Sequence, residues 1–178
     1  MSHAVYLVSS FPMLRFGDIP PFTVADLRKK CEGMLTEKEL ENLDALIEGR
    51  DCDDSFVAAF QAHEIQMKNV SGRSRANAWG PEARFSERSF PGYDATFAKM
   101  IADAFSKTNP LEKEQDIDRA RFWVVDEIAG VGETTMAHVY AFAVKLMICE
   151  RWARMTEEAG DAAVLKAIND NDPAMVQG

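Results

Sequence analysis

The segment AHEIQMKN, at residues 62–69, places a histidine next to a glutamate, as a zinc-protease motif does. Such a site needs a second histidine four positions after the first, so that two imidazoles on one helix face bind the same metal ion. Met67 stands at that position and offers no nitrogen. Because His63 recurs with Phe60 and Met67 at helical spacing, the pattern predicts a core histidine with a hydrogen-bond partner and no metal site.

A second group of chemically active side chains is the acidic run EKEQDIDRARFWVVDE, at residues 112–127. Di-iron bundles combine such carboxylates with a histidine three residues after a glutamate on a facing helix. Neither His63 nor His138 follows a glutamate at that spacing. We therefore expect a solvated charged face, on which Arg121 pairs either with Glu114, two turns before it, or with Asp118, three residues before it.

The other signatures of catalysis and cofactor binding are incomplete. The segment VSGRSRANAW, at residues 70–79, contains Gly72 and two arginines but lacks the lysine and the preceding strand of a Walker A loop. No GxSxG motif occurs, and Cys149 lies among apolar residues, which is typical of an inert buried thiol. The sequence thus predicts a protein that is not an enzyme and that needs no cofactor or metal.

Composition restricts the class of partner and the location. The 178 residues are 47% hydrophobic, enough for the core of one domain, and the net charge of -9 repels nucleic acid. Three widely spaced cysteines indicate a reducing cytoplasm. The N-terminus lacks the basic region of a signal peptide, and the most apolar stretch, residues 136–149, is shorter than the roughly 20 residues of a membrane span. We expect a cytoplasmic protein with no direct transmembrane segment.

Capping residues and apolar periodicity predict a nearly all-α bundle, which we expect to form a single domain over residues 1–178. The predicted helix starts are Thr23, Thr36, Asp53 to Ser55, Asp94, Asn109, and Thr134 or Thr135, and the predicted helix ends include Gly49 and Gly130. The helix that begins near Thr135 should continue to about Gly160. A short amphipathic segment with Val164, Leu165 and Ile168 then precedes a frayed tail at residues 171–178.

Five stretches of the chain resemble a known family. They are YLVSSFPMLRF, PPFTVADLRKKC, NVSGRSRA, NPLEKEQDIDRARFWVVDEI and VYAFAVKLMICERWARMTEEAG, found within about residues 5–168. They resemble the bacterial family of unknown function encoded within V-type ATPase operons. The last two stretches are the most specific, because they combine the residues of a helix start with several fixed charged and aromatic positions. In the middle, Val-Ser-Gly stands where related chains keep Leu-Arg-Asn.

That family is similar in turn to the C (d) subunit of V-type and archaeal-type rotary ATPases, an all-α funnel that seats the central rotor shaft on the membrane ring. The resemblance implies a multi-helix bundle resembling part of the fold of that C (d) subunit, with helix at residues 5–11. Val5, Tyr6 and Val8 instead favour a short N-terminal strand, so both alternatives stay open at this stage. The protein would be a non-enzymatic accessory, stalk or assembly component, cytoplasmic or peripheral at the inner membrane through the ATPase complex.

The partners implied by the resemblance are subunits of a V-type ATPase, contacted through helix surfaces. Arginines suit such contacts because the planar guanidinium can bind a carboxylate at two points. The candidate interaction residues are Asn69, Arg73, Arg75, Trp79, Lys145, Arg151 and Trp152. The arginines could equally pair with carboxylates of this protein, and Trp152 could belong to the core. The alternative function is a helical bundle that binds a small apolar ligand, with His63 or His138 as its polar group.

Overall fold

The structure is a computed structural model that describes residues 3–170, and every regular element within that range is an α-helix. The eight helices are α1 (His3–Ser10), α2 (Val24–Cys31), α3 (Glu37–Glu48), α4 (Ser55–Trp79), α5 (Ala95–Ala104), α6 (Pro110–Ala129), α7 (Met136–Arg154) and α8 (Glu157–Asp170). The predicted all-α bundle is confirmed, whereas the likeness to the C (d) subunit of rotary ATPases stays a prediction. The tail predicted at residues 171–178 lies outside the described residues.

Local capping chemistry sets most of the helix starts. Thr36 and Glu39 form a capping box, in which Thr36 N donates to Glu39 Oε2 at 2.8 Å and Glu39 N donates back to Thr36 Oγ1 at 3.3 Å. Gly49 ends α3 in the left-handed region, with φ of 70°. The remaining predicted caps that the structure confirms are Thr23, Asp54, Asp94, Asn109 and Thr135.

The structure decides the alternative left open at the N-terminus and corrects one predicted helix boundary. The N-terminal segment is the helix α1 and not a strand, because Ala4 and Leu7 then lie on one face and are buried against the bundle. The closing helix ends at Arg154 and not near residue 160. The Thr156 carbonyl accepts the first hydrogen bond of a new helix, from Gly160 N at 3.0 Å, so α8 begins directly after Thr156, at Glu157.

The centre of the bundle is α7, which contacts α1, α2, α3, α4 and α6. Its inward side carries Val139, Tyr140, Ala143 and Leu146, all fully buried, and the Tyr140 hydroxyl donates to the Glu39 carbonyl at 3.2 Å. Burial of such apolar area is the main force that holds the helices together. Among residues 3–170, no helix combines the length and apolar character that a membrane span requires.

Helices α4 and α5 run in the same direction because the chain between them returns along α4. We call this returning segment, residues 80–94, the strap. Its end, Asp94, bonds to Gln66 in the middle of α4, while Phe105, at the end of α5, lies beside Arg75 near the end of α4. Loop structure was predicted for most of this segment and is confirmed.

Candidate functional site

His63 lies on α4 at the edge of a cleft between this helix and the strap. Its Nδ1 is 2.8 Å from the carbonyl oxygen of Ala59, which can only accept, so Nδ1 carries a proton. Its Nε2 is 3.6 Å from Asp94 Oδ2. The predicted hydrogen-bond partner is therefore confirmed, although the ring is half-buried and not part of the closed core. In the described part of the chain, no three His, Cys, Asp or Glu side chains could hold a metal ion together.

The cleft beside His63 has a volume of about 520 Å³. Its residues include Ala62, His63, Gln66, Phe90, Tyr93 and Asp94. Ala62 contributes a small side chain from α4, and Phe90 and Tyr93 contribute aromatic side chains from the strap. Small-molecule sites combine apolar walls with a few polar groups in this way, so the cleft is the best candidate ligand site on α4.

Two amide side chains of α4 bind the strap, each at two points. The Gln66 side chain donates to Asp94 O at 2.6 Å and accepts from Asp94 N at 3.1 Å. The Asn69 side chain donates to Arg88 O at 2.8 Å and accepts from Arg88 N at 3.0 Å. Asn69, a predicted interaction residue, is only 4% exposed, so its side chain holds the strap.

The strap approaches α4 most closely at Gly72. A Cβ atom on Gly72 would lie 2.1 Å from Cε2 of Phe85, so the absence of a side chain makes room for this ring. Next to it, Arg73 Nε donates to Glu87 Oε1 at 2.8 Å. Gly72 therefore permits the close approach of the strap to α4. Arg73 pairs with a carboxylate of its own chain.

Arg75 and Trp79 lie near the end of α4, where Arg75 comes close to Phe105 at the end of α5. The Arg75 guanidinium carbon is 5.7 Å, and Lys113 Nζ is 5.0 Å, from the centre of the Phe105 ring, which holds both cations by cation–π attraction. Trp79 follows Arg75 by one helical turn on the same side and is 87% exposed. We call Arg75, Trp79, Phe105 and Lys113 the tip. Within the described residues, neither Arg75 nor Lys113 forms an ion pair.

A buried carboxylate joins α6 to α7. Asp118 is 1% exposed; its Oδ1 accepts from Arg121 at 3.1 Å, and its Oδ2 accepts from Trp152 Nε1 at 2.7 Å and from the Arg151 guanidinium. Arg121 also donates from Nε to Glu64 Oε1 of α4 at 2.7 Å. We call these five residues the Asp118 cluster. It ties three helices together around one charge-rich centre.

The Asp118 cluster corrects the prediction of a fully solvated acidic face on α6. Of the two predicted partners of Arg121, Asp118 is confirmed, but Asp118 points inward, because it lies four and seven residues before the buried Phe122 and Val125 and shares their helix face. Burial acts to lower the pKa of Arg121, yet the charges of Glu64 and Asp118 outweigh burial and raise that pKa above its ordinary value. Arg121 therefore stays charged within the bundle.

The candidate interaction residues on α7 bind other residues of this chain. Lys145 Nζ is 2.6 Å from both carboxylate oxygens of Asp126, and Arg151 and Trp152 both donate to Asp118. The Trp152 ring also makes an edge contact with Phe16, with centroids 5.9 Å apart. Of the alternatives that the sequence left open, the structure therefore shows that Arg151 pairs with a carboxylate of its own chain and that Trp152 packs within the bundle.

The buried thiols match the predicted inert character of Cys149. Burial raises the pKa of the Cys149 thiol, and it raises that of Cys31 to about 11. Both groups are thus protonated at neutral pH, which disfavours nucleophilic attack by either sulfur.

The structure therefore separates the predicted interaction residues. Five of them bind other parts of the chain, namely Asn69, Arg73, Lys145, Arg151 and Trp152. The other two, Arg75 and Trp79, belong to the exposed tip, where Arg75 lies on the Phe105 ring. The sequence patterns do not identify Gln66, Phe105 and Lys113 as site residues, because their partners are distant along the chain or on another helix. Comparisons of the chain with models of protein families, with curated proteins and with solved structures find no match.

Proposed function

We propose that the protein is a non-enzymatic accessory, stalk or assembly component of a bacterial V-type ATPase, and that it acts through contacts of its helix surfaces with ATPase subunits. The ATPase enters through the resemblance of five sequence stretches to a family encoded in V-type ATPase operons. The mode of action rests on one structural observation, the exposed tip. An indole that is 87% exposed, beside a guanidinium that forms no ion pair with the residues the structure describes, is suited to contact another protein.

The most specific stretches of the resemblance meet at the Asp118 cluster. Asp118 belongs to the stretch at residues 109–128, and Arg151 and Trp152 belong to the stretch at residues 139–160. These charged and aromatic positions hold α6 against α7, which in turn fixes Lys113 and Phe105 beside the end of α4. In our proposal the cluster is the scaffold and the tip is the surface that meets the ATPase.

Trp and Arg account for a large share of binding energy in protein interfaces, provided that water is excluded from them. Trp79 has its polar Nε1 and its apolar rings available, and Arg75 is already oriented by Phe105. A pre-oriented guanidinium loses less entropy when it binds a carboxylate of a partner. The tip would thus bind an acidic, partly apolar surface of the rotary complex.

The test is co-purification of the tagged chain with the ATPase A and B subunits from cells that express both. We expect these subunits to co-purify with the unmodified chain and to be reduced severalfold with the double variant Trp79→Ala, Arg75→Glu. The exposed Lys38 on α3 provides the control, since Lys38→Glu changes the charge equally. Recovery with the mature complex would indicate a stalk component, and recovery only with partial complexes an assembly factor. Absence of the A and B subunits would refute the proposal.

A bundle that binds a small apolar ligand is the second candidate, and the cleft beside His63 favours it. His63 is the better polar group, because Nδ1 of His138 accepts a hydrogen bond from Thr135 N at 3.2 Å at the start of α7. Native mass spectrometry of the purified chain would detect a retained ligand as added mass. Under this alternative the added mass should be lost in Tyr93→Ala, which removes an aromatic side chain from the cleft, and kept in Trp79→Ala. A chain without added mass would count against it.

A further inference from the structure

We infer that α8 of one copy binds the tip of a second copy, so that two chains exchange their last helices in a symmetric dimer. The inference does not depend on the ATPase proposal; α8 of a second copy and an ATPase subunit would occupy the tip at different times. It rests on two exposed surfaces of the described chain, the tip and one side of α8, whose charges are opposite and whose apolar side chains are both uncovered.

The exposed side of α8 is acidic and aliphatic. Four acidic residues and one lysine give the helix a net charge of -3. Asp161, Val164 and Leu165 are spaced by three and four residues, so they lie on one side of the helix. Val164 and Leu165 are 59% and 61% exposed, so the rest of the described chain leaves this side largely open to solvent.

The tip offers the complementary chemistry. Arg75 and Lys113 carry positive charge without ion pairs in the described residues, and both lie against the Phe105 ring. Trp79 adds a large exposed apolar ring one turn beyond Arg75. Carboxylates at the start of α8 can therefore meet the cations, while aliphatic side chains one turn later meet the indole. Opposite charges set the orientation, and burial of apolar area supplies affinity.

A second copy satisfies both surfaces together. Within residues 3–170 of a single chain, α8 leaves its own tip uncovered, since Trp79, Val164 and Leu165 are all exposed. When two copies exchange α8, each tip receives one helix, and the two-fold arrangement closes without leaving a further surface for a third copy.

Charge reversal provides a test on the full-length chain. One variant reverses the tip, with Arg75→Glu and Lys113→Glu, and the other reverses α8, with Glu158→Lys and Asp161→Lys. Sedimentation equilibrium over a concentration series should show a dimer for the unmodified chain. Each variant alone should have a dissociation constant at least about tenfold higher, because every contact would then place like charges together.

The decisive step is to mix the two variants. The acidic α8 of the tip variant then meets the unmodified basic tip, and the basic α8 of the other variant meets the acidic tip, so both contacts of the exchange are restored. We expect a heterodimer in native mass spectra and recovery of the original affinity. Circular dichroism confirms that both variants fold, and Lys38→Glu serves as a single-charge control that leaves the dimer unchanged.

Three results would overturn the inference: an unmodified chain that stays monomeric throughout the series, a dimer that persists in both variants, or a mixture that fails to associate although both variants are folded. A monomeric chain that nevertheless co-purifies with ATPase subunits would leave the proposed function intact. A dimer that does not co-purify with those subunits would support the inference and refute the proposed function. The two proposals therefore fail separately.

Discussion

The Asp118 cluster and the tip both combine arginine with tryptophan, yet they place these side chains in opposite environments. In the cluster, Arg151 and the Trp152 indole donate to a carboxylate that is 1% exposed. At the tip, Arg75 lies over an aromatic ring and Trp79 projects into solvent. The same residue types therefore hold the bundle together in one region and remain available to a partner in the other.

The difference lies in the acceptor. A buried carboxylate must have donors, because an unpaired charge inside a protein costs several kcal/mol, whereas exposed cations are solvated by water and need no fixed partner. Residue type alone thus does not identify an interaction surface. In these two regions, the presence of a buried carboxylate next to Arg151, and the absence of one next to Arg75 among the described residues, decide which arginine is structural. This comparison can be tested with substitutions at equivalent positions of the two regions.

The largest effect is expected for Asp118→Ala. The substitution leaves Arg121, which is largely enclosed, without one of its two carboxylates and removes the acceptor of Trp152, so the free energy of unfolding should fall by about 3–5 kcal/mol. Urea denaturation followed by circular dichroism measures it. On the same helix, Asp116 forms only partly exposed pairs with Arg119 and Lys107, so Asp116→Ala should cost less than about 1 kcal/mol. Equal losses would contradict the assignment of a buried centre.

Tryptophan substitutions compare the two regions directly. Trp152→Phe keeps an aromatic ring but removes the Nε1 donor to Asp118, which should cost about 1–3 kcal/mol of unfolding free energy. Trp79→Phe removes no hydrogen bond found within the described residues and should stay within about 0.5 kcal/mol of the unmodified chain. Both values come from the same urea titrations. A costly Trp79→Phe would show that the tip is structural.

Sequence patterns predict those parts of the fold that depend on neighbouring residues. Thr36 and Glu39 are three positions apart, so their capping box can be recognised in the sequence, and the same is true of the pair of Asp118 with Arg121. The patterns do not identify the start of α8 directly after Thr156, because Thr156 follows an apolar and basic run that continues the helical pattern of α7. Local chemistry was sufficient for most boundaries.

The candidate site depends on contacts that no local spacing encodes. Arg121 meets Glu64 across 57 positions, and Trp152 meets Asp118 across 34. The strap likewise places Arg88 on the Asn69 side chain, 19 positions away. An amide or an arginine has many equivalent partners in the sequence, and only the packed bundle selects one. Sequence analysis could therefore name Arg75 and Trp79 as candidates but could not separate them from the residues of the Asp118 cluster.

Asn69→Ala tests whether the middle of α4 holds the strap, and thus stabilises the fold as the Asp118 cluster does. The change removes both hydrogen bonds to Arg88, whose backbone groups water can reach once the strap moves, so the loss should be about 1–2 kcal/mol. Trypsin should then cleave faster after Arg84 and Arg88 on the strap, as limited proteolysis with mass spectrometry would show. The exposed Asn77, on the same helix, is the matched control. Similar cleavage rates in both variants would mean that Asn69 does not hold the strap.

The smallest effect on stability is expected for Arg75→Ala. An exposed cation–π contact contributes about 0.5–1 kcal/mol, and Lys113 still occupies the Phe105 ring after the substitution, so the unfolding free energy should fall by less than about 1 kcal/mol. Self-association should weaken clearly in sedimentation equilibrium, because each of the two exchanged contacts loses a cation. Arg151→Ala should act in the opposite sense, lowering stability through Asp118 while the tip keeps its affinity. If Arg75→Ala unfolded the chain as readily as Arg151→Ala, the two arginines would have the same role, and the distinction between the Asp118 cluster and the tip would not hold.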